Sequence, residues 1–160
     1  MGKDDLVTET PFELFDKAES DVLIIDSHIK NKNIPENWKY DNICFHATQA
    51  VEKFLKGFII DNSQDVKKSH NLIYLWNEAV KIDNGFNDIK NDCELLNNYT
   101  AWVRYTDHSA IEQHEFIAVI KSLKNVYSFE PIQEMRGKFS QKEGYRKLPD
   151  INSLAQGHKY

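Results

Sequence analysis

The chain has 160 residues, 41% hydrophobic and 28% charged, with a formal net charge of −5. That is about one domain's worth, long enough for a single hydrophobic core. The acidic balance excludes wholesale coating of nucleic acid or of an acidic membrane, but leaves room for a local basic site.

Four prolines and six glycines are few, which favours helices over a turn-rich β architecture. The opening MGKDDLVTETPFELF has no basic region followed by an apolar run, so no signal peptide is expected. No run approaches 18 apolar residues, so no membrane span is expected either. Cys44 and Cys93 each fall within an apolar helical stripe and read as buried thiols of a reducing, cytoplasmic compartment.

Thr10-Pro11-Phe12-Glu13 predicts a helix start, with Thr10 as cap, Pro11 at the first position and Glu13 completing a capping box. Phe12, Phe15, Ala18, Val22, Ile25 and Ile29 then trace one apolar face over about residues 11–30. Asn31 to Tyr40, with Pro35, reads as a loop. A second helix over about 41–61 carries Cys44, Ala47, Val51, Phe54, Leu55 and Phe58 on its core side. Its other side is polar at helical spacing: His46, Gln49, Lys53 and Lys56.

Ser69 predicts the cap of a third helix bearing Leu72, Leu75, Trp76 and Ala79, with Asn84-Gly85 as its stop. A fourth is expected over about 87–105, with Ile89, Cys93, Leu96, Thr100 and Val103 in register. Ser109 and Glu112 suggest a capping box for a fifth helix from about 110, with Phe116, Val119, Ile120, Leu123 and Val126 inward. Pro131, Gly137, Gly144, Pro149 and Gly157 punctuate the remainder, which holds six lysines and arginines against four acidic residues. The expectation is an all-α, up-and-down antiparallel bundle over residues 1–127, followed by an irregular, mildly basic extension over 128–160, extended or in short helices.

Two constellations carry chemistry. On the second helix, Lys53 and Lys56 could hold a phosphate while His46 moves a proton near neutral pH and Gln49 adds an amide. At the end of the fourth, Arg104 and His108 lie four apart. In a ribonuclease-like site the histidine would transfer protons at the 2′-hydroxyl or the leaving oxygen, and the arginine would stabilise the charge that develops on phosphorus. The structural alternative is an arginine at a helix C-terminus, paired with Asp107 or Glu52. His108 with Glu112, or His114 with Glu115, makes no recognisable metal spacing, and glycine-rich phosphate loops and GxSxG elbows are missing. No metal and no cofactor are expected.

The run from Cys44 to Lys56, CFHATQAVEKFLK, resembles the signature of the HEPN (higher eukaryotes and prokaryotes nucleotide-binding) domain family. His70-Asn71-Leu72 is similar to its HxL segment, and Leu96-Asn97-Asn98-Tyr99 followed by Arg104-Tyr105-Thr106-Asp107 to its LxxxY…RYPD segment. The resemblance implies a helical bundle, commonly a homodimer, often encoded beside a small nucleotidyltransferase. It also implies, for many relatives, metal-independent ribonuclease or toxin activity from an arginine and a histidine with four to six residues between them. Arg104 carries over; His108, with three residues between, is out of register, and Thr106 stands where the family has proline. The expected function is therefore binding of a nucleotide or phosphate-bearing ligand through His46, Gln49, Lys53, Lys56 and Arg104, in partnership with a nucleotidyltransferase. The alternatives are a ribonuclease acting on RNA through Arg104 and His108, and a dimerisation module without ligand.

Overall fold

The computed structural model describes residues 5–100 and 110–145. Six α-helices account for most of them: α1 (Pro11–Lys30), α2 (Glu36–Asp61), α3 (Leu72–Ile82), α4 (Lys90–Asn97), α5 (Gln113–Tyr127) and α6 (Glu130–Phe139). A 3-10 helix, Asn84–Ile89, joins α3 to α4. Among the described residues there is no strand, only an isolated antiparallel bridge between Leu6 and Lys67. The architecture is the expected all-α bundle. No described helix is long and apolar enough to cross a membrane.

The α2 helix is the hub, touching α1, α3, α4, α5 and α6. Its partner α1 starts as the sequence predicts: Thr10 Oγ1 accepts from the Glu13 amide at 3.1 Å, and Glu13 Oε2 accepts from the Thr10 amide at 3.1 Å. The two run antiparallel, because Phe15 meets Phe54, Asp21 meets His46 and Lys53, and Ile29 meets Lys39. Close approach depends on Gly57. A Cβ there would lie 2.6 Å from two Phe15 ring atoms, so the missing side chain is the space the ring occupies. The predicted core faces of α1, α2, α3 and α5 are inward, with Phe12 only partly covered.

Several boundaries differ from expectation. The α2 helix begins five residues early, because Pro35 sets an extended entry and its carbonyl accepts from the Trp38 and Lys39 amides at 3.0 Å. The added turn buries Tyr40, which stacks on Phe116 with ring centres 4.6 Å apart. Asn71, not Ser69, caps α3, its Oδ1 accepting from Ile73 and Tyr74; Ser69 instead accepts from the Asn71 amide. Over the described part of the expected fourth helix, the end of the 3-10 turn and the short α4 stand in its place; residues 101–105 lie outside the described residues. Asp83 caps the Gly85 amide at 2.8 Å and sends Phe86 into the core, where Trp76 Nε1 donates to its carbonyl at 2.7 Å. The α5 helix starts at Gln113, three residues late; Ser109 and Val103 lie outside the described residues.

Within the extension, residues 130–139 take the short-helix course and not the extended one. Pro131 falls in the first turn of α6, where its missing N–H costs nothing and its φ suits a helix, so it starts the element instead of breaking it. Ile132, Met135 and Phe139 then bury one face. Arg136 carries its guanidinium into the core onto Glu19 of α1, which is 1% exposed and also accepts from Tyr127 at 2.5 Å and Tyr145 at 3.1 Å. The guanidinium stacks on the Tyr127 ring, 3.5 Å from its centre. A buried charge must be paired and hydrogen-bonded to be tolerated. Glu19 therefore ties α6 to α1 across more than a hundred residues of sequence.

Substituting Gly57→Ala pits a gain in helix propensity of about 1 kcal/mol against an overpacking cost of about 1–3 kcal/mol, as a buried aromatic ring must shift. The net expectation is destabilisation with an unchanged helix content, read by urea unfolding followed by circular dichroism. A variant as stable as the parent would contradict the close approach.

Candidate functional site

The polar side of α2 does not face open solvent as a row of free cations. It is divided between two carboxylates. Asp21, on the α1 face against α2, accepts from His46 Nδ1 at 2.9 Å through Oδ1 and from Lys53 Nζ at 2.5 Å through Oδ2. Glu52, on α2 itself, accepts from His70 Nδ1 at 2.7 Å through Oε1 and from Lys56 Nζ at 3.0 Å through Oε2. The same unit occurs twice: a carboxylate bridging one imidazole and one ammonium.

Burial decides what each cation can do. The Lys56 side chain is 8% exposed and its carboxylate 7%, so this ammonium is internal and its charge is spent on Glu52. Lys53 and His46 are half-buried, with an open side. His70 is 67% exposed and presents the rest of its ring to solvent. Gln49 lies between the two units on α2, partly buried. A carboxylate oxygen only accepts, so Nδ1 must be the protonated nitrogen in both histidines, leaving each Nε2 for another partner.

The second unit sits where three segments of the sequence meet. His70, just ahead of α3, reaches Glu52 on α2. Two residues on, the Leu72 amide donates to Asn97 Oδ1 at the end of α4 at 2.9 Å. Beyond Asn97, the Tyr99 hydroxyl donates to Glu115 Oε1 at 2.9 Å, and Glu115 Oε2 accepts from the Glu112 amide at 2.9 Å. This chain of bonds fixes residues 99 and 112–115 against each other, on either side of residues 101–109. With Asn125 bonded to Asp92 at 3.0 Å, it also makes α4 and α5 antiparallel neighbours. Arg104 and His108 lie outside the described residues. His114 is on the surface, 3.2 Å from Glu112.

Of the residues singled out from sequence, the structure brings His46 and Lys53 onto one carboxylate, commits Lys56 to Glu52, and leaves Gln49 partly buried on the same helix. Asp21, Glu52, His70 and Asn97 were not expected as site residues. One signal was there for Asp21: it is an acid beside Ala18, Val22 and Ile25 in an otherwise apolar stripe, and such a residue needs a charged partner from the facing helix.

Burial raises the Tyr99 hydroxyl above its ordinary range, and the bond to Glu115 adds to the effect. Burial also pushes the Cys93 thiol up to about 12, with Asp92 and Glu94 acting the same way. Between pH 9.0, the ordinary thiol value, and about 12, the unfolded chain has lost a proton that the fold keeps. Rising pH therefore favours unfolding by about 1.4 kcal/mol per pH unit for this group. Urea midpoints measured at successive pH values above 9 should fall faster for the parent than for Cys93→Ala; parallel pH profiles would contradict the buried neutral thiol.

The sequence matches the family model of the HEPN domain over residues 13–134, from the first turn of α1 to the middle of α6. No curated protein and no solved structure is significantly similar to it.

Proposed function

The chain belongs to the HEPN domain family, and on that premise we propose that it is a homodimeric binding partner of a small nucleotidyltransferase, with a nucleotide or another phosphate-bearing molecule as ligand. What supports this most is the meeting of the three signature segments at Glu52, His70 and Asn97, immediately before the stretch that carries Arg104. In this reading His46, Gln49 and Lys53 face the ligand with Arg104. Lys56 works indirectly, holding Glu52 so that the His70 imidazole is oriented. A chain whose imidazoles are held by carboxylates needs no further residue to set their tautomers.

The dimer has apolar surface available to it. Trp38 is 62% exposed, and Leu23 and Ile117 are also exposed. A second copy covering them would gain burial that the single chain lacks.

Binding of this kind is charge-assisted and weakens with salt. Titration calorimetry with nucleoside triphosphates should give saturable heat that shrinks as salt rises. Lys53→Ala and Arg104→Ala should each weaken binding about tenfold or more, as loss of a charged hydrogen bond does, with the dimer unchanged by light scattering. No heat with any nucleotide would contradict the reading. RNA cleavage that persists in a chelator and vanishes in His108→Ala would replace it with the ribonuclease.

A further inference from the structure

The α1–α2 seam is a continuous line of polar groups. From the middle of the bundle it runs Lys53, Asp21, His46, His28 and then the Ile29 carbonyl, where Lys39 Nζ arrives at 3.5 Å. Asp21 and His28 are seven apart on α1, and Lys39, His46 and Lys53 are seven apart on α2, so both sets stay on the facing sides of the helices. The two histidines are the titratable centre of this line. Their ring centres are 6.5 Å apart and their planes inclined at 45°.

Both imidazoles are locked in the same sense. His46 Nδ1 donates to Asp21, and His28 Nδ1 to the Ile24 carbonyl at 2.9 Å, an acceptor that cannot donate back. Both Nε2 atoms are left without a partner among the described residues, and both rings are partly open to solvent. At this separation the two Nε2 atoms can come no closer than about 4 Å, beyond the roughly 3.2 Å limit of a direct hydrogen bond. Once both rings are protonated, each Nε2 donates, and one acceptor group between them would satisfy both.

We propose that His28 and His46, when protonated, form a subsite for a phosphate-class oxyanion at the α1–α2 seam. The groups facing the pair are Asp21 and His28 from α1 and Lys39, His46 and Lys53 from α2. Asp21 is offset by Lys53, and Lys39 sits on a helix C-terminus. Protonation then adds positive charge where, among the described residues, Asp21 is the carboxylate bonded to the pair. An oxyanion supplies the balancing negative charge and two acceptors at once. A metal ion fits the chemistry less well: among the described residues no group of three or more histidine, cysteine or acidic side chains is placed to hold one.

This deepens the phosphate-ligand reading and rests on it for the natural ligand, but inorganic phosphate tests it alone. Imidazole nitrogen spectra should be recorded at about pH 5.5 and 8, either side of the range in which histidine changes charge. At the lower pH, added phosphate should shift both Nε2 resonances saturably; at the higher pH it should not. His28→Gln and His46→Gln should each weaken phosphate binding about tenfold. His28 bonds only its own helix, so its variant keeps the fold even where loss of the Asp21 partner unsettles the other. Shifts matched by chloride at equal ionic strength, or phosphate affinity unchanged in His28→Gln, would overturn the subsite. Nucleotide binding that survives His28→Gln would leave the parent reading intact, whereas phosphate binding without nucleotide binding would sink only that reading.

Discussion

Phe15 lies where Gly57 has no side chain, with Cβ clearance of only 2.6 Å had there been one. That contact draws α1 and α2 together at the end of the bundle where α1 begins and α2 finishes. Once the helices are this close, the ring packs edge-on against Phe54 and Phe139 as well, at 5.0 and 5.3 Å. Further along the same seam Asp21 is buried, and Lys53 and His46 reach water on one side only. Asp21 and Lys53 must satisfy each other, and the imidazole of His46 takes the oxygen that remains. Close packing thus dictates the electrostatics of the site.

Bridging by a carboxylate has a second consequence. It converts flexible cations into fixed ones. Lysine on an exposed helix face keeps its rotamer freedom and is a poor positioning device. Held by Asp21 or Glu52, Lys53 and Lys56 lose that freedom in the folded protein, before any ligand arrives, and the partner imidazoles are aimed with them. The two units differ in exposure. The Glu52–Lys56 pair is sealed and structural, and its imidazole, His70, points outward from a short connection before α3. The Asp21 unit is half-open and continues into His28.

Much of the fold was legible because periodicity reports burial directly. The stripes of α1, α2, α3 and α5 are apolar at 3.6-residue spacing, and those faces are the core. The errors came from residues whose meaning depends on context. Pro131 was read as punctuation and opens a helix; Asn84-Gly85 does stop α3, but the turn runs on as a 3-10 helix to Ile89, past residue 87 where periodicity had begun the fourth helix. Arg136 counted as surface charge, yet its partner Glu19 sits 117 residues away. The site was half legible for the same reason. His46, Gln49, Lys53 and Lys56 share one helix, so spacing alone groups them. Asp21 and His28 belong to another helix, 25 and 18 residues from His46, and a single sequence does not say which polar residues face across a seam.

Carboxylate and carbonyl acceptors hold the imidazoles with Nδ1 protonated, which leaves each Nε2 for another partner. Long-range proton–nitrogen correlation spectra of the uniformly labelled protein, at a pH where the rings are neutral, read the tautomer of each histidine directly. The structure requires the Nδ1–H form for His28, His46 and His70. The Nε2–H form at His46 would show that Asp21 does not hold this ring, and the account of the site would fail with it.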